Sequence, residues 1–106
     1  MLIIDEDRNG ETIAAAIGDA IEVRLAENAT TGFRWKLVSP CAPACAITGE
    51  TRLPAATAAP GAGGEHHWQL RVSAAGECEF KAEYRRHWED AGAPSRKFAI
   101  RIHVSG

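Results

Sequence analysis

The sequence predicts an all-β fold, an immunoglobulin-like antiparallel β-sandwich of about eight strands, in a single domain over residues 1–106. Apolar and polar residues alternate over most of the chain, which is the period of two that a strand with one buried face requires. Turn-forming Gly, Asn and Pro recur roughly every 8 to 15 residues, and no segment shows the period of an amphipathic helix. About 100 residues in short strands is the size of an immunoglobulin-like pair of sheets.

The first two strands are short. Residues 2–4 form an apolar run, and the polar turn after them ends in Asn9-Gly10, a strong hairpin signal. Residues 12–17 are alanine-rich, but the run is only six residues long and is closed by Gly18-Asp19. We therefore interpret it as a strand rather than a helix.

The next three strands lie on either side of a polar loop. In residues 20–25, Ile21, Val23 and Leu25 alternate with charged residues, which indicates one buried and one wet face. A second alternating run covers residues 34–38, where Trp35 is most simply a core aromatic, and Pro40 ends it. Residues 46–53 are the fifth predicted strand.

The second half of the chain supplies three more strands. Residues 54–64 have no period and contain two prolines and three glycines, so they are predicted as an irregular loop. The alternating runs that follow cover residues 67–73, 78–84 and 98–104. Trp68 lies on the apolar face of the first of these strands and is also expected in the core.

Composition and net charge limit the kinds of partner that we expect for this protein. The chain is 45% hydrophobic, enough for one core that buries roughly two thirds of the unfolded surface. The 12 basic and 14 acidic residues give a net charge of -2, so we expect no nucleic acid and no membrane surface as partner, and a monomer that binds protein or small molecules. There is no apolar run of ~20 residues and no export signal, which indicates the cytoplasm, or the periplasm or exterior if Met1 replaced a leader.

The three cysteines leave alternatives open. Cys78 shares a face with Phe80 and is most simply a buried small hydrophobe. Cys41 and Cys45 could form a short-loop disulfide in an oxidising compartment, or they could stay free. A metal site is weakly supported, because no second cysteine or histidine pair has the required spacing.

The order of the strands places three unusual loops together. Each strand of an antiparallel sandwich crosses the domain, so alternate connections emerge at the same end. The segments at 26–33, 54–65 and 85–96 are the third, fifth and seventh connections. We therefore expect them at one end, with the plainer turns at 39–45 and 73–76 at the other, and loops on a rigid scaffold commonly bind partners.

The three loops resemble those of the chagasin-type inhibitors of papain-like cysteine peptidases. That family carries an Asn-Pro-Thr-Thr-Gly-aromatic loop, a Gly-x-Gly-Gly loop and an Arg-Pro-Trp-like loop, in this order. The corresponding residues here are Asn28, Ala29, Thr30, Thr31, Gly32 and Phe33, then Gly61, Ala62, Gly63 and Gly64, then Arg86, His87 and Trp88. Each motif alone is weakly specific, but three in order along the chain make a specific match. Ala29 and His87 stand where proline is common in the family.

The resemblance implies a reversible, tight-binding inhibitor of papain-family peptidases of the cathepsin L type, with no catalytic residue, metal or cofactor. The first loop would enter the peptidase cleft, and the other two would straddle its walls. A general protein-binding or adhesion module on the same scaffold is the alternative function. A metal module built from His66, His67, His87 and a cysteine is disfavoured, because adjacent histidines on a strand point to opposite faces.

Overall fold

The computed structural model describes residues 1–27, 33–53, 64–86 and 96–105. Eight strands confirm the predicted elements, with ends shifted by a few residues. The strands are β1 (Leu2–Ile4), β2 (Thr12–Ala16), β3 (Ala20–Glu27), β4 (Phe33–Pro40), β5 (Cys45–Leu53), β6 (Gly64–Val72), β7 (Gly76–Arg86) and β8 (Arg96–Ser105). A 3₁₀ turn, Glu6–Arg8, connects the first two. Among the described residues, no helix is long and apolar enough to cross a membrane.

The strands form two four-stranded sheets, in the orders β1-β3-β6-β5 and β2-β8-β7-β4. The predicted β-sandwich of about eight strands is confirmed. Four of the strand pairs are antiparallel, and the two edge pairs, β1 with β3 and β2 with β8, are parallel. Successive strands do alternate in direction. In this alternation β1 and β3 run in the same direction, and so do β2 and β8. Because the fold places the two strands of each pair side by side, both pairs are parallel.

The hairpin expected at Asn9-Gly10 is also absent from the structure, since β1 and β2 lie in different sheets. The turn instead carries the chain across the end of the sandwich. Gly10 adopts a φ of 83°, which favours glycine. The Asn9 side chain accepts a hydrogen bond from the Ala99 amide and donates one to the Lys97 carbonyl, at 2.9 and 3.1 Å. The Asn-Gly pair therefore predicts a turn correctly, but it does not predict that the turn joins two different sheets.

Inward-facing side chains of both sheets make the core. Trp35 and Trp68 are buried, as the sequence predicts. Trp68 meets Phe80 edge to face at a centroid distance of 5.5 Å, and Phe80 meets Phe98 in the same way at 6.3 Å. Edge-to-face contact is a favourable geometry for aromatic pairs, so this row of rings joins the two sheets through the middle of the domain.

The cysteine pairing differs from the one considered in the sequence. Cys41 forms a disulfide with Cys78, with Cα atoms 4.8 Å apart, while Cys45 is free and buried. The interpretation of Cys78 as an unpaired hydrophobe is therefore wrong, although it is buried. The register of β4 on β7 brings the two cysteines close, because Pro40 lies opposite Phe80, and Cys41 then leaves the strand with a φ of 66°.

Candidate functional site

The described strand ends that border residues 28–32, 54–63 and 87–95 lie at one end of the sandwich. Of the predicted site residues, the structure describes Phe33, Gly64 and Arg86, which are a first or last residue of their strands. Phe33 pairs with Arg86 in one sheet, and Gly64 pairs with Glu27 in the other. The remaining ten predicted site residues lie outside the described residues.

The turns at 17–19, 41–44 and 73–75 gather at the opposite end, whereas the turn between β1 and β2 lies at the same end as the three segments. The amide groups of Ser73 and Ala74 donate hydrogen bonds to the Ala44 carbonyl at 2.8 and 3.2 Å. The Gly18 amide donates to the Val72 carbonyl at 2.8 Å. The alternation expected from strand order is thus present in the described strand ends.

We use the name loop base for a set of side chains and strand ends that border the three segments. It comprises Glu27, Phe33, Trp35, Arg52, Gly64, His66, Tyr84 and Arg96. The last two residues of β3 are tied to β4 in the facing sheet. The Trp35 indole N–H donates to the Ala26 carbonyl at 2.8 Å, and the Trp35 backbone amide donates to the Glu27 carboxylate at 2.9 Å. The two residues before segment 28–32 are thereby fixed to a residue just after it.

The Glu27 carboxylate is an unusual feature of the loop base, because it is charged and only 6% exposed. One oxygen lies 3.1 Å from the His66 Nδ1 atom, and the other lies 3.3 Å from the Arg52 Nε atom. His66 is fully buried, and its ring stacks on that of Trp68 at a centroid distance of 3.9 Å. A buried carboxylate requires such partners, because water is not available to solvate it.

A second contact fixes the other edge of the His66 ring. Its Nε2 atom lies 2.5 Å from the Glu50 carboxylate, on the neighbouring strand β5. The imidazole is held between two carboxylates, one on each strand beside its own. Three adjacent strand ends of one sheet therefore share a single polar network.

Arg96, the first residue of β8, follows segment 87–95 and contacts other residues of the loop base. Its guanidinium carbon lies 5.4 Å from the ring centroids of both Trp35 and Tyr84, within cation–π range. It also pairs with Glu6, whose carboxylate accepts a hydrogen bond from the Ala26 amide at 3.0 Å. The Phe33 ring stacks on Tyr84 at 5.4 Å. The start of β8 is thus connected to the ends of β3, β4 and β7.

Sequence reasoning missed Glu27, Arg52 and His66. The signal for two of them was the same period of two that located the strands. Glu27 follows Leu25 by two positions and His66 precedes Trp68 by two, so both are predicted to face the core if the strands are extended one step. Both lie just outside the predicted strands at 20–25 and 67–73, where a polar residue is typical of a loop.

The histidines do not form a shared metal centre in the described part of the chain. His66 contacts Glu27 and Glu50, whereas His67 contacts Glu22 at 3.2 Å and Glu65 at 2.6 Å. The two adjacent rings therefore bind separate carboxylate pairs, and His87 lies outside the described residues. The sulfur atoms of the three cysteines lie within 4.8 Å of one another, but two of them form the disulfide.

Comparison with known proteins identifies the family. The sequence model of the chagasin family peptidase inhibitors (I42) matches residues 14–102. Chagasin of Trypanosoma cruzi is 30% identical over 106 residues, covering 96% of each chain. Amoebiasin-1 of Entamoeba histolytica is 32% identical over 104 residues, covering 95% of this chain and 97% of that one.

A solved structure shows the same fold. The cysteine protease inhibitor EhICP2 from Entamoeba histolytica superposes with a TM-score of 0.86 at 21% identity, covering 98% of this chain and 95% of that one. The family consists of inhibitors rather than enzymes. The chain therefore belongs to the chagasin family of cysteine peptidase inhibitors.

Proposed function

We propose that the loop-base end of this protein blocks the active-site cleft of papain-family cysteine peptidases of the cathepsin L type through segments 28–32, 54–63 and 87–95. The observation that carries the proposal is the convergence of the strand ends that border the three segments. Phe33 lies opposite Arg86, Gly64 lies opposite Glu27, and Arg96 packs over Trp35. Segments with such fixed borders lose little conformational entropy on docking.

Residue chemistry assigns different roles to the segments. Thr30, Thr31 and Gly32 are slim enough for a narrow cleft, and their hydroxyl and backbone groups are suited to hydrogen bonding with a polar active site. The glycines Gly61, Gly63 and Gly64 allow close approach of backbone to an enzyme surface. These groups supply fit rather than a reaction, so inhibition is by occlusion and is reversible.

Trp88 is the proposed anchor of the third segment. A tryptophan buried on binding is a frequent interface hot spot, and its truncation typically costs about 2 kcal/mol or more. Ala29 and His87 replace prolines common in the family, which leaves the unfolded chain more freedom by about 0.4 to 1 kcal/mol each. We expect these replacements to weaken the affinity without removing the inhibition.

The test is a titration of active-site-titrated papain and of a cathepsin L-type peptidase with the purified protein. We expect stoichiometric, reversible inhibition by the wild type. Thr31→Arg places a bulky charge in the first segment and should raise the inhibition constant about 100-fold or more, and Trp88→Ala about 30-fold. Ala75→Arg, in an exposed turn at the opposite end, is the matched control and should leave it unchanged.

Two results would contradict the proposal. A well-folded wild-type protein that does not inhibit either peptidase at micromolar concentration would leave a binding module with another partner. Equal losses for Thr31→Arg and Ala75→Arg would show that the loop-base end does not make the contact.

A further inference from the structure

The Glu27 carboxylate contacts residues at the borders of two of the three proposed binding segments, 28–32 and 54–63. Glu27 is the residue before segment 28–32, and its carboxylate accepts from the Trp35 amide just after that segment. Arg52 lies two positions before segment 54–63, and His66 follows it, and both contact the same carboxylate. A single side chain therefore contacts residues at the borders of both segments.

Groups from three other strands contact the Glu27 carboxylate. The carboxylate is buried, and three groups from β4, β5 and β6 occupy its oxygens at 2.9 to 3.3 Å. The His66 ring is stacked on Trp68 and held on its far edge by Glu50. A change at Glu27 must therefore reach the borders of both segments.

Stability alone does not account for a buried ionic network of this kind. Removing the Glu27 carboxylate from water costs several kcal/mol, and apolar replacements of buried ion pairs often leave a fold equally stable. Of the four buried polar residues in the described part of the chain, Glu27 and His66 lie where the chain enters the loops, whereas Glu22 and His67 lie on the other face of the sheet. The Glu27 network therefore lies where it can fix the spacing of segments 28–32 and 54–63, rather than where it would fill the core.

We propose that Glu27 is a positioning residue for inhibition, which fixes the relative placement of segments 28–32 and 54–63 without itself contacting the peptidase. This inference rests on the proposed function and adds a residue to it. Preorganised binding groups give affinity by reducing the ordering cost on docking. Loss of the Glu27 network is therefore expected to weaken inhibition in a protein that is still folded.

The structure offers a matched control on the same strand. Glu22 is also buried at 9% exposure, and its carboxylate likewise contacts a histidine, His67, and an arginine, Arg24. It faces the other side of the sheet and does not border the three segments. Glu27→Gln and Glu22→Gln therefore remove the same charge from similar networks, of which only one adjoins the proposed binding end.

The experiment measures the inhibition constant and dissociation rate for papain, together with thermal unfolding, for the wild type and both variants. Glu27→Gln keeps an acceptor for the Trp35 amide but loses the charge that binds His66 and Arg52. We expect its inhibition constant to rise about tenfold, chiefly through faster dissociation, while Glu22→Gln changes it less than about twofold. Arg52→Gln, at a half-exposed position, should give a smaller rise of about threefold, which keeps the test available if Glu27→Gln does not fold.

A second readout separates this inference from the proposed function. Amide hydrogen exchange of the free protein should become faster in segments 28–32 and 54–63 for Glu27→Gln, and not for Glu22→Gln. If the wild type does not inhibit, the proposed function is wrong, and the exchange result still decides the positioning role. Unchanged exchange in both segments, or equal losses of inhibition in Glu27→Gln and Glu22→Gln, would overturn the positioning role.

Discussion

At the scale of single residues, Glu22 shows how a charged network couples stability to pH. The Arg24 guanidinium, whose Nε atom lies 2.5 Å from the carboxylate, holds the pKa of Glu22 below its ordinary value of 4.5 despite the opposing effect of burial. Because the folded pKa is lowered, the ionised carboxylate stabilises the fold above about pH 4.5, and this contribution is lost as the pH falls through the folded pKa.

We therefore expect Glu22→Gln to lower the free energy of unfolding by about 1 to 2 kcal/mol at pH 7. The difference from the wild type should shrink as the pH falls below about 4.5 toward the lowered pKa of the folded state. Urea unfolding at several pH values measures it. Arg24→Gln removes the main cause of the lowered pKa and should reduce the pH dependence similarly, whereas a difference constant down to pH 3 would contradict the assignment.

The period of two predicts the faces of these residues but not their partners. Alternation along β3 places Glu27 inward with Leu25, and alternation along β6 places His66 inward with Trp68. That the two side chains meet depends on the register, in which Glu27 lies opposite Gly64 and Leu25 opposite His66. Register is a long-range property, so the polar network could not be found from either strand alone.

At the scale of elements, the disulfide ties the end of β4 to β7. It closes a loop with a sequence separation of 37 residues. In the chain-entropy model, such a closure stabilises the fold by about 4 kcal/mol relative to the reduced chain. Burial raises the pKa of the free Cys45 thiol, so this group stays protonated and unreactive in the folded state.

Cys78→Ala is accordingly expected to lower the free energy of unfolding by about 2 to 4 kcal/mol, measured by urea unfolding without reductant. Cys45→Ala, which removes a buried thiol but no cross-link, is the control and should cost about 1 kcal/mol. Thiol titration of the unfolded wild type should find one reactive group per chain. Three reactive groups, or equal losses of stability in the two variants, would show that the disulfide is not formed.

The positions of the strands along the chain were easier to predict than the order of the strands in the sheets. Alternation located β3, β4, β6, β7 and β8, short runs between turn signals located the other strands, and the direction of each followed from its place in the chain. The parallel pairing of the edge strands β1 and β2 was not predicted, because Asn9-Gly10 indicated a hairpin between them. That dipeptide specifies a local backbone conformation, while the choice of sheet depends on which edges β3 and β8 leave open.

At the scale of the whole molecule, the core keeps the two sheets in a fixed relation and so fixes the loop base. Phe80 is fully buried and contacts both Trp68 and Phe98. We expect Phe80→Ala to cost about 3 to 5 kcal/mol in the free energy of unfolding, by lost burial and the cavity left behind. Leu53→Ala, at a 45% exposed position, is the control and should cost less than about 1 kcal/mol in the same urea experiment.

The whole-molecule arrangement separates the proposed binding end from the end that carries the shorter turns. The grouping of alternate connections followed from the sequence, because it depends only on counting strands. The side chains that join the groups across the two sheets, such as Arg96 over Trp35, did not follow, because the count does not specify how the sheets face each other.

The central claim is that the loop-base end makes the contact with the peptidase. It is tested most directly by amide hydrogen exchange of the protein with and without stoichiometric papain. We predict slower exchange in peptides that cover segments 28–32, 54–63 and 87–95, with the turns at 41–44 and 73–75 unchanged. Protection at those opposite turns or along the edge strand β5, without protection of the three segments, would contradict the account.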